Sequence, residues 1–234
     1  QLRAPTPSPR HVICMGVTCK EFTDAPGLPM IMFLKHPDAI LDPGGTLSLP
    51  PEASFSICHH EAEFTVVIGK TGRNITESQA MDHVFGYTNS VDVSCRGEYG
   101  GNSFMGKNFD GFCPLGPNIT TKDEIPDPAK VRIRFWVDGQ PRHDYNTSDW
   151  AWGLAKSIVY VSSFMTLRPG DVVTMGTNHQ GIGPLQDGET AEMESEGVGR
   201  LTFHVKDPSK RTWPKEIDKR MAETVLNRVL SSKK

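Results

Sequence analysis

The sequence has no apolar run that approaches the roughly 18 to 20 residues needed for a membrane-spanning helix. It also has no marked excess of charge, because 25 Lys and Arg residues are interspersed with 28 Asp and Glu residues for a net charge of -3. A chain without a basic tract has little electrostatic attraction to nucleic acid or to an anionic membrane surface. We therefore expect a protein that binds neither nucleic acid nor membrane.

Closely spaced pairs of cysteines are missing from the sequence as well. The chain has an odd number of scattered cysteines and no Cys-x-x-Cys pair: Cys14, Cys19, Cys58, Cys95 and Cys113. This spacing favours neither a zinc knuckle nor a disulfide framework. The N-terminal segment to Pro9 is proline-rich and has no apolar stretch, so it does not resemble a signal peptide. We expect a reducing compartment, either the cytoplasm or another such as the mitochondrial matrix.

The distribution of apolar residues predicts a mainly β fold. Many short apolar segments are separated by turns, and two or three helical patterns occur without regular alternation of strands and helices. Residues 131–139 predict a hairpin that turns at Asp138-Gly139. Helices are predicted for about 76–86, from Thr147 or Ser148 to about 168, and from Pro214 onward.

The most informative stretch is residues 58–69, whose β-branched run before Gly69 predicts a strand. Glu61 and Glu63 would share one face of this strand, and His59 would lie on the same face. Two adjacent carboxylates repel each other, and a divalent cation removes the conflict because hard cations prefer clustered oxygen ligands. A solvated edge strand with two acids fits the pattern equally well, so both interpretations stay open.

Further motifs follow in a defined order along the chain. They are His60-Glu61-Ala62-Glu63 with Val66-Val67-Ile68-Gly69-Lys70, then Gly86-Tyr87-Thr88 with Asp92-Val93-Ser94 and Arg96, then Gly106-Lys107-Asn108-Phe109-Asp110 with Cys113-Pro114-Leu115-Gly116-Pro117, then Asn146-Thr147-Ser148, and finally Gly170-Asp171-Val172-Val173 with Gly176-Thr177 and Gly181-Ile182-Gly183-Pro184. Together they resemble the fumarylacetoacetate hydrolase family over residues 12–205, which is most of the chain.

The resemblance implies a β-roll or β-sandwich core of the family's C-terminal-domain type, usually a homodimer. It also implies Mg²⁺ or Mn²⁺ bound by Glu61, Glu63 and Asp92. An all-oxygen ligand set suits these ions better than Zn²⁺, while His59 stays open as a rival ligand. Asp92 would lie in a strand over residues 87–94. We predict a flexible segment at 1–10, the catalytic domain at 11–207, and a C-terminal amphipathic helix at 208–234 that packs on the domain or on a second subunit.

Family substrates are small 2-oxo acids or β-diketones, and the resemblance gives three further residues a role towards them. Lys107 would face the substrate oxyanion, although a solvated loop lysine is the alternative. Arg96 would hold a substrate carboxylate, or form a structural ion pair instead. Thr177 would contact a substrate oxygen, or serve only a tight turn.

The chain departs from the family in the loop after the first strand. Many members carry a His and, three residues later, a Glu that activate water from a mobile lid, but here these positions hold Phe22 and Ala25. Phe cannot accept a proton, so the usual general base is missing. The nearby acids Glu21 and Asp24 are candidate replacements, and so are two histidines elsewhere in the chain, His143 and His179. Solvated lid acids and surface histidines are the alternatives.

Three functions are compatible with this sequence. The first is a metal-dependent enzyme that cleaves a C–C bond of a 2-oxo or 1,3-dicarbonyl acid by hydrolysis or decarboxylation through a stabilised enolate. The second is an isomerase or tautomerase, which needs the enolate but no activated water. The third is a metal-binding family member without catalytic activity. The retained Lys107 and carboxylates count against the third, whereas Phe22 keeps it open.

Overall fold

The computed structural model describes residues 2–22, 30–51, 55–97 and 104–231. Within these ranges the chain forms fifteen strands, two α-helices and five short 3-10 helices. The prediction of a mainly β fold with a few short helices is therefore confirmed. In the same ranges, no helix combines the length and the apolar character that crossing a bilayer requires.

The elements follow one another in chain order. The strands are β1 (Val12–Gly16), β2 (Ile31–Lys35), β3 (Ile40–Leu41), β4 (Thr46–Ser48), β5 (Phe55–His60), β6 (Ala62–Ile68), β7 (Val84–Val91), β8 (Ser94–Gly97), β9 (Cys113–Thr121), β10 (Arg132–Val137), β11 (Gln140–Asn146), β12 (Val172–Thr174), β13 (Gly183–Pro184), β14 (Thr190–Ser195) and β15 (Gly199–Lys206). The helices are α1 (Leu154–Phe164) and α2 (Lys219–Ser231).

The strands form three sheets. The largest has the order β2-β1-β12-β6-β7-β9-β3, the second β11-β10-β14-β15-β4, and the smallest β13-β5-β8. Most neighbours are antiparallel, but β1 with β12, β3 with β9, and β4 with β15 are parallel. Strand β6 lies in the middle of the largest sheet and every one of its residues is buried. The interpretation of this stretch as a solvated edge strand is therefore wrong.

The predicted hairpin is confirmed. Strands β10 and β11 pair antiparallel, with Arg132 opposite Asn146. Asp138 and Gly139 both have positive φ, at 48° and 72°, as a tight hairpin turn between right-twisted strands requires. This sheet carries Phe135 and Phe203 into the main core, where the aromatic side chains of Phe64 and Tyr87 are also fully buried.

The helix predicted from Thr147 begins later than expected. Residues Thr147–Asp149 form a 3-10 helix, and α1 starts only after its N-cap residue Gly153. Between them, the backbone N–H of Ala151 donates to the carbonyl of Thr18 at 2.7 Å, so this segment is tied to the N-terminal part of the chain. The inward face of α1 is as predicted, with Leu154, Ile158 and Val161 buried.

Two other boundaries differ from the sequence prediction. Residues Glu77–His83 form a 3-10 helix, and α2 begins at Lys219 rather than at Pro214. The strand predicted over 87–94 is two strands, because β7 ends at Val91 and β8 begins at Ser94. Asp92 therefore lies in the connection between them. The proposed domain limits at residues 10 and 207 stay a prediction.

The cysteine spacing favoured no disulfide framework, but the structure has one disulfide, between Cys58 and Cys95. They are register partners on the neighbouring strands β5 and β8, a pairing that their separation of 37 residues does not reveal. The other three cysteines are free and buried. The cysteine argument for a reducing compartment loses its basis, and the compartment stays a prediction.

Candidate active site

The three predicted carboxylates lie together. Glu61 sits between β5 and β6, Glu63 is the second residue of β6, and Asp92 directly follows β7. The backbone N–H of Asp92 donates to the carbonyl of Glu61 at 2.9 Å, which fixes one loop against the other. Each side chain offers an oxygen, these oxygens lie within 4.8 Å of one another, and all three residues are buried. This cluster, Glu61, Glu63 and Asp92, is called the carboxylate cluster below.

The three acids are not equivalent in charge. Burial opposes ionisation of Glu61, but the ammonium of Lys107 and the guanidinium of Arg96 outweigh it and hold its pKa well below the usual value. Burial and the negative charge of Asp92 raise the pKa of Glu63 to about 8. Glu63 instead accepts a backbone N–H from Gly176 at 3.0 Å. The cluster therefore holds one carboxyl that favours its neutral form unless further positive charge is nearby.

The donor set fits a divalent cation. Three clustered carboxylates supply hard oxygen ligands of the kind that Mg²⁺ and Mn²⁺ take in proteins. A bound cation would also offset the repulsion that raises the pKa of Glu63. His59 is not part of the set, because its Nε2 lies 3.1 Å from Asp218 and its Nδ1 lies 3.4 Å from Nε of Arg96. The alternative of His59 as a ligand is therefore not supported.

Lys107 is anchored on the carboxylate cluster. Its Nζ lies 2.9 Å from Oε2 of Glu61, pairs with Oδ2 of Asp92, and stands 4.9 Å above the ring of Phe33. Burial opposes its charge, but Asp92 and Glu61 outweigh burial and raise its pKa above the usual value. Only 14% of the side chain is exposed, which excludes the alternative of a solvated loop lysine.

A second lysine, Lys35, was not singled out from the sequence. Its fully buried ammonium lies 2.7 Å from Oδ1 of Asp92 and donates to the carbonyls of Lys107 at 2.6 Å and Phe112 at 2.7 Å. Lys35 therefore joins the end of β2 to the connection that holds Asp92 and to the loop that holds Lys107. The available signal was a lone lysine that ends the apolar run Met30-Ile31-Met32-Phe33-Leu34.

Arg96 and Thr177 lie in the same region. Nη2 of Arg96 is 2.6 Å from Oε1 of Glu61, so the arginine does form an ion pair, and its partner belongs to the carboxylate cluster. Thr177 is buried directly after Gly176, and its hydroxyl donates to the carbonyl of Asn178 at 3.3 Å. The substrate-binding roles of both residues stay predictions.

Two of the residues considered as replacement bases contact each other. Glu21, in the 3-10 helix Lys20–Phe22, accepts from the backbone N–H of His179 at 2.9 Å, and its Oε1 lies 2.7 Å from Nδ1 of that ring. Burial alone would raise the pKa of Glu61, but Lys107, Arg96 and His179 together lower it. His179 is therefore close enough to act electrostatically on Glu61 of the carboxylate cluster.

The other candidate bases lie elsewhere or are not described. His143 is buried on β11, with its ring centroid 5.2 Å from that of His60 and 6.0 Å from that of Phe135. Burial lowers the pKa of His143 to about 4, so the ring is neutral at pH 7. Asp24 and Ala25 lie outside the described residues, and only the backbone of Phe22 is described. The catalytic role of His143 stays a prediction.

Gly176 gives a test of how the backbone supports the site. Its φ is +80°, and a Cβ there would collide with Oγ1 of Thr18 and lie 3.0 Å from the carbonyl of Met15. We expect Gly176→Ala to lose about 1 to 2 kcal/mol of unfolding free energy from the left-handed backbone, and more from the collision. The substitution would also displace the backbone N–H of residue 176, which donates a hydrogen bond to Glu63. We therefore expect weaker Mn²⁺ binding, which calorimetry measures.

Gly170 supplies the matched control. Its φ is +87°, but a Cβ there would meet nothing within 4 Å. Gly170→Ala should therefore show only the backbone cost and should leave Mn²⁺ affinity unchanged. Equal effects of the two substitutions on urea midpoint and on Mn²⁺ affinity would contradict the supporting role of Gly176.

Comparison with known proteins agrees with the motifs and the geometry. The fumarylacetoacetate (FAA) hydrolase C-terminal family model matches residues 8–206. The mitochondrial oxaloacetate tautomerase FAHD2A of Bos taurus is 36% identical in a 211-residue alignment, which covers 84% of this chain and 66% of the relative. The chain thus spans about two thirds of the length of that relative.

Solved structures give the same result. The 2-hydroxyhepta-2,4-diene-1,7-dioate isomerase of Mycobacterium marinum superposes with a TM-score of 0.80 at 33% identity, covering 89% of this chain and 78% of the isomerase. The maleylpyruvate hydrolase of Sphingobium sp. SYK-6, in complex with manganese(II) and pyruvate, has a TM-score of 0.79 at 32% identity, covering 88% of this chain and 73% of the hydrolase. The fold predicted from the motifs is confirmed, and its relatives include isomerases, hydrolases and a tautomerase. The chain belongs to the fumarylacetoacetate hydrolase family.

Proposed function

We propose that this chain is a metal-dependent enzyme that enolises a small 2-oxo acid, with keto–enol tautomerisation of a 2-oxo dicarboxylate such as oxaloacetate as its reaction. The observation that carries the proposal is the position of Lys107, whose ammonium lies on the carboxylate cluster at 2.9 Å from Glu61. The similarity to a mitochondrial oxaloacetate tautomerase supports this choice of substrate class. The predicted homodimer stays a proposal.

Glu61, Glu63 and Asp92 are the residues that would hold Mg²⁺ or Mn²⁺. When bound, the ion supplies a Lewis acid that polarises the 2-oxo group of the substrate. The Sphingobium hydrolase, which has manganese(II) and the 2-oxo acid pyruvate bound, supports this assignment. The three side chains are buried, and a low-dielectric setting strengthens every charge interaction within the cluster.

Lys107 would stabilise the enolate oxygen. When a C3–H bond breaks, its electron pair forms the C2–C3 double bond and negative charge develops on the C2 oxygen. A fixed ammonium near that oxygen stabilises the charge without reorganisation of solvent. Burial opposes the charge of Lys107, but the acids Asp92 and Glu61 outweigh burial and raise the pKa of its ammonium, so Lys107 acts as a donor rather than as a base.

The pair Glu21–His179 would move the C3 proton. When the ring carries one proton and Nδ1 donates it to Oε1 of Glu21, the basic lone pair of His179 is on Nε2. That nitrogen takes the proton from C3, and the imidazolium formed is stabilised by Glu21. Returning a proton to the enolate oxygen completes the tautomerisation. This arrangement replaces the His–Glu lid pair that Phe22 and Ala25 remove, and it involves Glu21 rather than His143 as the second catalytic group.

C–C bond hydrolysis is the second candidate function. It is favoured by the same Glu21–His179 contact, because a histidine held by a carboxylate can deprotonate water as well as carbon. Decarboxylation of a 3-carboxylated 2-oxo acid also passes through the enolate and needs no activated water. The absence of catalysis is the least supported alternative, since the carboxylate cluster and Lys107 are assembled together.

A substrate panel tests the proposal. Oxaloacetate, an acylpyruvate and a fumarylacetoacetate analogue are incubated with the protein and Mg²⁺ or Mn²⁺ in D₂O and followed by proton NMR. We expect exchange of the C3 protons of oxaloacetate above a metal-only control, even where cleavage is slow. Rapid acylpyruvate cleavage with no enhanced exchange of oxaloacetate would contradict enolisation as the main activity and favour hydrolysis.

The Glu21–His179 pair gives a second test. We expect His179→Gln to lower the kcat of enolisation by about 10²- to 10⁴-fold, the usual contribution of a positioned base, and Glu21→Gln to lower it less. His204→Gln is the control, because that ring lies at the surface on β15, with its Nδ1 near the hydroxyl of Thr190. Full activity of both His179→Gln and Glu21→Gln would exclude the pair as the general base and would favour His143 in that role.

A further inference from the structure

The C-terminal helix is connected to the carboxylate cluster through Asp218. This residue precedes α2, and its Oδ1 accepts from the backbone N–H of Met221 at 2.9 Å, as an N-cap does. Its own backbone N–H donates to the carbonyl of Ile182 at 2.8 Å. The second carboxylate oxygen, Oδ2, lies 3.1 Å from Nε2 of His59. One side chain therefore caps the helix and contacts a residue beside the site.

His59 passes this contact on to Arg96. The His59 side chain is fully buried, and its Nδ1 accepts from Nε of Arg96 at 3.4 Å. Nη2 of the same guanidinium lies 2.6 Å from Oε1 of Glu61. The contacts thus run from Asp218 through His59 and Arg96 to a member of the carboxylate cluster.

Only one tautomer of His59 satisfies both of its contacts. Arg96 has donors and no acceptor, so Nδ1 must carry the lone pair and Nε2 the proton. The carboxylate of Asp218 accepts from Nε2 and therefore selects this tautomer. In the other tautomer, two N–H groups of His59 and Arg96 would face each other. The orientation of the guanidinium then depends on an acceptor that lies 159 residues away from His59 in the sequence.

We propose that Asp218 is a positioning residue, which fixes the tautomer of His59 and thereby the orientation of Arg96 towards a substrate carboxylate. The proposal rests on the function proposed above for the substrate-binding part of its claim. Asp218 lies beyond residue 206, where the match to the family model ends. The C-terminal segment is thus a working part of the site in addition to a packing element.

The segment is fixed well enough for this role. Before Asp218, Trp213 exchanges two hydrogen bonds of 3.0 Å with the side chain of Gln186. Arg211 pairs with the buried carboxylate of Asp207 at 2.9 Å. These contacts hold the chain between β15 and α2 against the domain, so that Asp218 reaches His59 from a fixed direction.

Asp218→Ser is the variant that separates capping from positioning. Serine is an equally good N-cap, so α2 and the unfolding free energy should be retained. Asp218 contacts Met221 with Oδ1 and His59 with Oδ2, whereas serine has one oxygen, which lies at the capping position and leaves His59 without the second contact. We expect KM for oxaloacetate to rise by about 10- to 100-fold, as loss of an outer partner of a site residue does, with a much smaller change in kcat. An unchanged KM would overturn the proposal.

A double-mutant cycle tests the route through Arg96. In Arg96→Met, the guanidinium that Asp218 is proposed to orient is absent, so adding Asp218→Ser should raise KM no further. Independent, multiplying effects of the two substitutions would overturn the positioning role. Lys210→Met is the surface control, because it removes an exposed ion pair with Asp187 in the same segment and should leave KM unchanged.

A measurement without substrate keeps the two proposals apart. In NMR spectra of the protein with ¹⁵N-labelled histidine, the signals of the His59 ring are assigned by their loss in His59→Gln. In the wild-type protein we expect the Nε2–H tautomer, with a slowly exchanging proton. The same proton should exchange faster in Asp218→Ser. The Nδ1–H tautomer in the wild-type protein would overturn the positioning role, whatever the activity. The expected tautomer in a protein that does not enolise 2-oxo acids would instead contradict the proposed function alone.

Discussion

Asp92→Asn is expected to lower Mn²⁺ affinity by more than about 100-fold and to remove detectable enolisation, since even outer partners of a metal site are worth 10- to 100-fold. Asp92 is one of three carboxylates whose oxygens lie within 4.8 Å of one another. Asparagine keeps the shape and one oxygen acceptor but removes the negative charge that attracts the cation. Isothermal calorimetry with Mn²⁺ and Mg²⁺ measures the affinity directly.

Asparagine is preferable to alanine at this position because of Lys35. That lysine is fully buried and lies 2.7 Å from Oδ1 of Asp92. Removing one partner of a buried ion pair typically costs about 3 to 5 kcal/mol, so Asp92→Ala would mix loss of the metal with loss of stability. Asparagine keeps an oxygen that can lie against the ammonium of Lys35, which limits this second effect.

Asp171 provides the matched control for the loss of a buried carboxylate. It is fully buried and accepts backbone N–H groups of His11 and Arg168, both at 2.9 Å. Asp171→Asn should lower the unfolding free energy without changing Mn²⁺ affinity. Undiminished metal binding in Asp92→Asn, or an equal loss in Asp171→Asn, would exclude the proposed ligand set.

Local patterns in the sequence were sufficient for part of the fold. The alternation of residues 131–137 and the Asp138-Gly139 turn predicted a hairpin that the structure confirms, because register in a hairpin is set by neighbours in the chain. The start of α1 was misplaced because Ala151 donates to Thr18, a contact between distant segments. Helix propensity carries no information about such a partner.

The carboxylate cluster could be predicted only in part from the local sequence pattern. The spacing of Glu61 and Glu63 suggested that both bind one cation, although Glu61 lies before β6 rather than within it. Asp92 is joined to Glu61 by a contact between two loops, which the local sequence pattern does not reveal. It was therefore predicted only from the family resemblance. Lys35, the Cys58–Cys95 bond and the pairing of Glu21 with His179 depend on tertiary proximity alone. No spacing rule identifies contacts of this kind.

Lys107→Met is expected to lower kcat and kcat/KM of enolisation together, by about 10²- to 10³-fold, as loss of an oxyanion donor does in other enzymes. KM should change little, because the ammonium acts on charge that develops only in the transition state. Steady-state kinetics with oxaloacetate and saturating Mn²⁺ separates the two parameters. A change confined to KM would mean that Lys107 positions the substrate without stabilising the enolate.

Metal binding should survive the loss of Lys107, which separates this prediction from the one for Asp92. Glu61 retains Arg96 as a partner at 2.6 Å, and Asp92 retains Lys35 at 2.7 Å. Removing one positive charge beside two carboxylates should leave Mn²⁺ affinity equal or higher, because like charges repel. Lys122→Met is the control, since its ammonium donates to the carbonyl of Met81 rather than to the carboxylate cluster. Weaker Mn²⁺ binding in Lys107→Met would contradict the separation of roles, because the lysine would then be supporting the cluster rather than the enolate.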